Sequence, residues 1–408
     1  MRLLIVADGR SPTAQNWISY LEEKGHEVHL ASTFPCIPDK YLASVHFVPV
    51  AFSSARRGGT GGGAKKGFWG ASSVRLRTMV RQWLGPFTLP KAALRLKEII
   101  GRVEPEVVHA MRIPFEGMLA ALADPAVPLL VSVWGNDFTL HGPSTPWMRH
   151  YTRQTLQRSD ALHTDCQRDA RLALNWGFAA EKPVAVLPGA GGVRLDIFGP
   201  GMPREDIEGI GPDTKWMPLV INPRGIRSYV RNDTFFQAIP FVLEKMPRVR
   251  FICPAMAGED YAVRWLKKLE ITQYVRLMPQ QPRSRMADLF RLAQTAVSPS
   301  VHDGTPNTLL EAMACGCFPI AGDLESVREW ITPGVNGLLV NPSSPKSLAE
   351  AILKALSNPE LRQQARERNL QLVAERADYQ KVMAEAQQFY WKLIEGSGLT
   401  EGHAGEPA

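Results

Sequence analysis

Short apolar runs, each followed by a helical stretch, recur along this chain, and that alternation constrains its fold more than any other feature. LLIVADG (3–9) is continuous apolar sequence ending in Gly, as a strand buried on both faces would be. A helical stretch with Trp17, Ile18 and Leu21 on one side follows, then Gly25 as a stop and EVHLAS as a second strand. VRFICPA (249–255), YVRLMPQ (274–280), TAVSPS (295–300) and CFPIAGD (317–323) repeat the pattern further on. Such alternation predicts parallel sheets joined by right-handed crossovers. The set of strand starts occurs twice, once before about residue 190 and again from KWMPLVINPRG (215–225). A chain of 408 residues is the right length for two or three domains.

Boundaries follow from composition. The expected domains are 1–190 and 200–375, joined by LPGAGGVRLDIFGPGMPREDIEGIGPDT, which is dense in Gly and Pro. A last helix near 378–395 carries Val382, Ala386, Phe389, Tyr390 and Leu393 on one face and is expected to pack back on the first domain. No run reaches the 18 apolar residues of a membrane span, and LLIVADG is too short for a signal peptide. Five scattered cysteines, an odd number, point to a reducing cytosol rather than a disulfide framework.

The charge is regional. Lys and Arg number 47 against 40 acidic residues, yet no Asp or Glu occurs from Lys40 to Lys97. That window holds a Gly- and Ser-rich stretch (53–73) with Arg56, Arg57, Lys65 and Lys66, expected to be mobile. The stretch 73–85 then puts Leu76, Met79, Val80 and Trp83 near one helical face and Arg75, Arg77 and Arg81 elsewhere. Residues 53–85 therefore read either as an interfacial element docking on anionic lipid or as an ordinary amphipathic helix beside a loop. A nucleic-acid platform is disfavoured, because the window's aromatics are mainly Phe68, Trp69, Trp83 and Phe87 and are not interleaved with the cations.

The segment richest in chemistry runs from Ser298 to Pro342. A strand ends in Pro299-Ser300, a turn carries Asp303-Gly304, and Pro306 precedes a helix beginning near Asn307. Pro is harmless there because the N–H it lacks would be unpaired. The amides of Asn307, Thr308 and Leu309 then form an anion site at the positive end of the helix dipole. Asp303 and Glu311 bracket it. Carboxylates beside an anion hole suit a ligand with hydroxyl groups on both sides of a diphosphate, as in a nucleotide sugar. A core helix with a solvated Glu311 would show the same local pattern.

At this point the chain resembles family 4 of the glycosyltransferases. HDGTPNTLLEAMACGCFPIAGD is similar to that family's acid-Gly-x-Pro-x4-Glu-Ala-Met-Ala block, AVLPGAGGVRLDIF (185–198) to its Pro-Asn-Gly-Val-Asp…Phe connection, and EPEVVHAMRIPFEG (104–117) to its Pro-Asp-Val-Val-His strand. The resemblance implies an α/β chain of GT-B fold, two doubly wound Rossmann-like domains with a cleft between them. It implies retaining transfer of a sugar from a UDP- or GDP-sugar to a hydroxyl acceptor, lipid-linked or a polysaccharide precursor, with no cofactor and no metal. An epimerase or hydrolase on the same fold stays open at this point.

By position, Glu311 would hold the ribose hydroxyls, Asp303 the sugar hydroxyls, and Gly304 with the amides of Asn307, Thr308 and Leu309 the donor. NPRGIRSYVRND (222–233) matches the family's Gly-Arg…Lys-Gly segment, so Arg224 and Arg231 would neutralise the departing diphosphate. Three features depart from the family. The first acid is Asp303 rather than Glu. The strand end is His109-Ala110-Met111 rather than His-x-His, with Arg112 as a substitute; His109 reads either as an acceptor-side contact or as a structural strand-end residue. The N-terminal turn keeps only Gly9 of the paired glycines, so Arg10 and Ser11 take on ligand contacts. Trp134, Asn136 and Asp137 in VSVWGNDFT (131–139) are acceptor-side candidates, or the latter two a helix cap. Cys315-Gly-Cys317 lacks a second ligand pair for a metal, and no Asp-x-Asp motif occurs.

Overall fold

The computed structural model describes residues 1–37, 42–53, 71–203 and 217–396, with side chains of the helix at 71 described from residue 78 onward. The chain divides into two compact units: Met1–Gly192 with the residues from Gln380 on, and Val193–Tyr379. The basic residues Arg56, Arg57, Lys65 and Lys66, with Phe68 and Trp69, lie outside the described residues, as do the side chains of Arg75, Leu76 and Arg77.

The first unit is built on seven strands: β1 (Arg2–Ala7), β2 (Glu27–Ser32), β3 (Ser44–Phe47), β4 (Val107–Ala110), β5 (Leu129–Val133), β6 (Ala161–Thr164) and β7 (Val184–Val186). They lie in the order β3-β2-β1-β4-β5-β6-β7, every neighbouring pair parallel. Helices α1 (Pro12–Glu23), α2 (Ala71–Leu84), α3 (Leu89–Val103), α4 (Met118–Ala123), α5 (Pro146–Arg158) and α6 (Gln167–Trp176) make the crossovers. Burial on both faces explains the unbroken apolar sequence: Leu3, Leu4, Ile5 and Val6 are all fully buried. In α1, Pro12 sits in the first turn, and Trp17, Ile18 and Leu21 are the buried stripe.

The second unit repeats the plan with β8 (Leu219–Ile221), β9 (Arg250–Cys253), β10 (Val275–Leu277), β11 (Thr295–Ser298), β12 (Phe318–Gly322) and β13 (Leu338–Val340). Their order is β10-β9-β8-β11-β12-β13, again all parallel. Its helices are α7 (Asn232–Lys245), α8 (Asp260–Lys268), α9 (Arg283–Leu292), α10 (Asn307–Ala314), α11 (Glu325–Arg328), α12 (Pro345–Ser357) and α13 (Pro359–Arg376). In both sheets the order reverses beside the first strand, between β1 and β4 and between β8 and β11. Ligands of doubly wound sheets bind outside the carboxyl ends of the strands at such reversals.

The stretch read as a connection is partly core. Phe198 is buried in the second unit, Val193 exchanges backbone hydrogen bonds with Ala377 and Tyr379, and Arg291 donates to the carbonyls of Ile197 and Gly199. Its residues 204–214 lie outside the described ones. The last helix, α14 (Tyr379–Gly396), packs in the first unit through Val382, Met383, Ala386, Tyr390, Leu393 and Ile394, while Phe389 is half-buried.

Candidate functional site

In the second unit, the polar residues converge at the β8/β11 reversal. Arg224 lies just past the end of β8 and Asp303 past the end of β11, and Arg224 Nη2 donates to Asp303 Oδ2 at 2.8 Å. Nη1 reaches Thr308 Oγ1 at 3.3 Å. Both charged ends are nearly buried, at 9% and 13% exposure, so the pair is held in low dielectric. The loop is fixed from behind: Ser326 Oγ donates to the Asp303 carbonyl, and Trp330 Nε1 to Thr305 Oγ1. Arg224 Nε is buried and makes no hydrogen bond to the described residues.

Helix α10 starts at Asn307 with Pro306 as its cap, as its sequence requires. Its anion site is smaller than expected. The Leu309 amide donates to the Pro306 carbonyl at 2.9 Å, tightening the first turn, so of the three amides those of Asn307 and Thr308 are left without a hydrogen bond among the described residues. Gly304 is buried in the turn before them. Glu311, one turn in, is not solvated. It is half-buried, and burial pushes its carboxyl up to about 7 against the pull of Arg283 and Arg224.

Arg231 is held differently. It precedes α7, and its Nε and Nη2 both bond the Asp233 carboxylate, at 2.8 and 2.7 Å, while Nη1 donates to Ser343 Oγ. The Arg-x-Asp spacing was visible in the sequence, but not that Asp233 would take two of the guanidinium's three nitrogens. About a third of the Arg231 side chain stays exposed.

The first unit has a cavity of about 270 Å³ at its own β1/β4 reversal. Asp8 and Ser11 after β1, Met111 and Arg112 after β4, and Trp134 after β5 line it, with Phe34, Phe115, Glu116, Arg81 and His141. Arg112 is fixed by Asp137, whose Oδ1 it reaches at 2.7 Å, and by Asn136 Oδ1 at 3.3 Å; its guanidinium lies over the Trp134 ring. Asp137 is fully buried, and its Oδ2 accepts the amides of Ile113 and Trp134. Asn136 and Asp137 therefore stand behind Arg112 rather than on the cavity wall, a correction to their reading as acceptor contacts.

The turn into this cavity is strained. Phe115 has φ 71° and ψ −51°, the rare γ-turn geometry that costs of order 1–3 kcal/mol for a bulky residue. Gly117 makes the turn possible, because a Cβ there would come within 2.9 Å of the Arg112 carbonyl. The turn sets the Phe115 ring under Arg81 and places Glu116 at the wall with 3% exposure. Thr33 Oγ1 donates to Glu116 Oε1 at 3.0 Å, and burial raises the carboxyl above its usual range against Arg112 and Arg81. EPEVVHAMRIPFEG contained these residues, but nothing in their types announces a γ-turn.

Gly9, Arg10 and His109 fall elsewhere. Gly9 is packed so closely on Cys36 and Ser32 that a Cβ would collide with the Cys36 sulfur, and its amide bonds Ser32 Oγ. Arg10 folds onto Asp8 through two hydrogen bonds and onto the Phe34 ring. Of the two readings of His109, an acceptor-side contact or a structural strand-end residue, its complete burial agrees with the second. It belongs to a chain of hydrogen bonds running from Tyr390 Oη through His109, Ser132 and His163 to the Leu187 carbonyl.

Among the described residues, one group of metal-ligand side chains comes within 4.8 Å of one another, Asp165, Cys166 and Asp169, all buried after β6. Arg168 already bonds Asp169 Oδ1 twice. Burial holds both carboxyls above the usual range, and at Asp165 repulsion from Asp169 adds to it. All five cysteines are free.

Two family profiles match the chain: "Glycosyl transferases group 1" over residues 219–371 and "Glycosyl transferase 4-like domain" over 8–189. The D-inositol 3-phosphate glycosyltransferase of Nocardiopsis dassonvillei is 25% identical over 216 residues, half of each chain. That of Frankia alni is 29% identical over 183 residues, 42% of this chain and 45% of the relative. The chain thus spans about half the length of the curated relatives it matches. Sucrose-phosphate synthase from Thermosynechococcus elongatus superposes with a TM-score of 0.74 over 97% of this chain and all of its own, at 14% identity. Anabaena HepE in complex with UDP-glucose gives 0.67 over 96% and 99%, at 12% identity. At such identities the likeness speaks for the fold. The two profiles, one on each α/β unit, show that the chain belongs to the group 1 glycosyltransferases, of the family 4 type, and the superpositions show its GT-B fold.

Proposed function

We propose that the protein moves a sugar from a UDP- or GDP-sugar to a hydroxyl acceptor. The observation that carries this reading is the Arg224–Asp303 pair across the β8/β11 reversal, beside two unspent amides and the desolvated carboxyl of Glu311. The amides of Asn307 and Thr308 take the diphosphate, Glu311 the ribose hydroxyls, and Asp303 the sugar. The acceptor oxygen attacks the anomeric carbon as its bond to the phosphate oxygen breaks. The electron pair goes to the diphosphate, and that oxygen takes the acceptor's proton, so no protein base is needed and configuration is retained. Arg224 and Arg231 meet the charge as it develops, in place of a metal ion. The donor half is carried by the second unit and the acceptor half by the cavity of the first.

Relatives named for D-inositol 3-phosphate put a cyclic polyol among the acceptors to be tried, beside lipid-linked and polysaccharide precursors. A peripheral place on an anionic inner membrane face goes with the latter. In its favour, Met79, Trp83, Leu84 and Phe87, within the acid-free basic window, are 48–60% exposed. No helix among the described residues is long and apolar enough to cross a membrane.

The test incubates the full chain with UDP- and GDP-sugars, with and without D-inositol 3-phosphate or lipid-linked acceptors, and identifies products by mass and anomeric configuration by NMR. A glycosylated acceptor with the donor's configuration is expected. Release of free sugar alone would convert the reading to a hydrolase, and an epimerised donor to an epimerase.

A further inference from the structure

Two residues that line the cavity of the first unit each carry a buried polar atom that makes no hydrogen bond to another described residue: the acceptor Glu116 Oε2 and the donor Trp134 Nε1. A buried carboxylate oxygen left without a donor is costly, and a strained turn is spent on placing it at this wall. Both costs are recovered when a ligand supplies the missing partners. The group that both donates and accepts is a hydroxyl.

The rest of the wall narrows the ligand class. Its charged side chains are Asp8, Arg81, Arg112 and Glu116, two of each sign, so no net field calls for an ion. Phe34, Phe115 and Trp134, each with a guanidinium over one face, supply the apolar surface of the wall. A volume of about 270 Å³ is on the scale of one small ring rather than an oligomer.

We propose that Glu116 is the specificity-determining residue of this cavity, its free oxygen accepting one particular hydroxyl of an uncharged polyol ring seated against Trp134 and Phe115. The proposal rests on the reading of the first unit as the acceptor half. Thr33 fixes which carboxylate oxygen is committed and thereby which one is offered. A polar group in a site of this kind discriminates far more strongly than an apolar wall, because a ligand lacking the matching hydroxyl leaves it unpaired.

The experiment measures binding of glucose, galactose, mannose and myo-inositol to the full chain by saturation-transfer NMR, each hexose beside its monodeoxy forms. At least one ring is expected to bind the wild type, with a single deoxy position costing tenfold or more. Glu116→Gln, isosteric and relieved of its buried charge, should keep the wild-type melting temperature and UDP-glucose binding. It should lose tenfold on the parent ring and nothing on that deoxy form, a pattern that a merely structural role would not produce. Equal losses on both, no loss on either, or no ring bound by the wild type would each overturn the proposal. If binding behaves as expected while no nucleotide sugar is ever transferred, the polyol site stands and the transferase reading falls. If transfer occurs and Glu116→Gln leaves the acceptor KM unchanged, the reverse holds.

Discussion

Ser132→Ala tests whether the buried hydrogen-bond chain fastens α14 to the first unit. One end of the chain fixes its direction. The Leu187 carbonyl can only accept, so His163 carries its proton on Nε2 and its Nδ1 accepts from Ser132, at 2.8 Å. The Ser132 oxygen then accepts from His109 Nε2–H at 2.8 Å, and His109 Nδ1 from the Tyr390 hydroxyl at 2.6 Å. Both imidazoles are neutral, and burial pushes His163 down to about 4 and His109 well below its usual value. Removing the Ser132 hydroxyl orphans one buried lone pair and one buried N–H, at roughly 1–3 kcal/mol each, so a loss of about 2–6 kcal/mol is expected. Because a two-unit chain has no single unfolding free energy, the assay is amide hydrogen exchange on α14 and β5 at pH 7.5. Exchange of the α14 amides should accelerate at least tenfold. Protection within a factor of two of wild type would refute the reasoning. The same chain predicts acid lability of defined sign. With His163 depressed from 6.5 to about 4, the unfolded state takes up its proton first, so the stabilisation is complete above about 6.5. It falls away toward 4, by up to about 3 kcal/mol.

Glu311 should make donor binding pH-dependent. Its raised pKa means that ionisation opposes folding between about 4.5 and 7, and hydroxyls bonding the carboxylate reverse that preference. Calorimetric affinity for UDP-glucose should therefore rise up to tenfold per pH unit below about 7 and flatten above, with Glu311→Gln abolishing the slope; a flat wild-type profile would remove Glu311 from the site. Glu311→Ala and Arg231→Ala should each lower transfer at least about tenfold, roughly 1.4 kcal/mol of transition-state binding, and full activity would dismiss the residue concerned. Asp303→Asn leaves Arg224 charged and nearly buried, so it should impair kcat and the second unit's stability together, whereas Arg224 and Asp303 changes combined should cost less than their sum in a double-mutant cycle. Deleting residues 53–85 should weaken binding to anionic vesicles at low salt; unchanged binding would discard the membrane proposal.

What the sequence disclosed and what it withheld divide along physical lines. Runs such as LLIVADG and TAVSPS announce strands because a two-sided buried strand must be apolar throughout, and Pro306 announces a helix start because a missing N–H is harmless only there. Those signals are local, so the strand ends and helix start that meet at the β8/β11 reversal were legible. Pairings between distant strand ends are not local. Nothing near His109 indicates that Tyr390, 281 residues on, supplies its partner, and so a histidine that resembles a ligand contact proved to be a fastening of the last helix. Asp137 misled in the same way. Its position after β5 is right for a site, but its carboxylate is spent on two amides and Arg112.

These pairings also reveal a shared construction. In each unit an Arg after one strand is tied to an Asp after the neighbouring one: Arg112 to Asp137 across β4 and β5, and Arg224 to Asp303 across β8 and β11. A buried ion pair of this kind adds little net stability, because desolvation consumes most of its attraction. What it supplies is a guanidinium whose plane and position are set before any ligand arrives, so that little ordering remains to be done on binding. The use of two such pairs at the two carboxyl edges is therefore better explained by recognition than by folding. Replacing either Asp with Asn should, on that ground, harm ligand affinity more than its isosteric shape suggests.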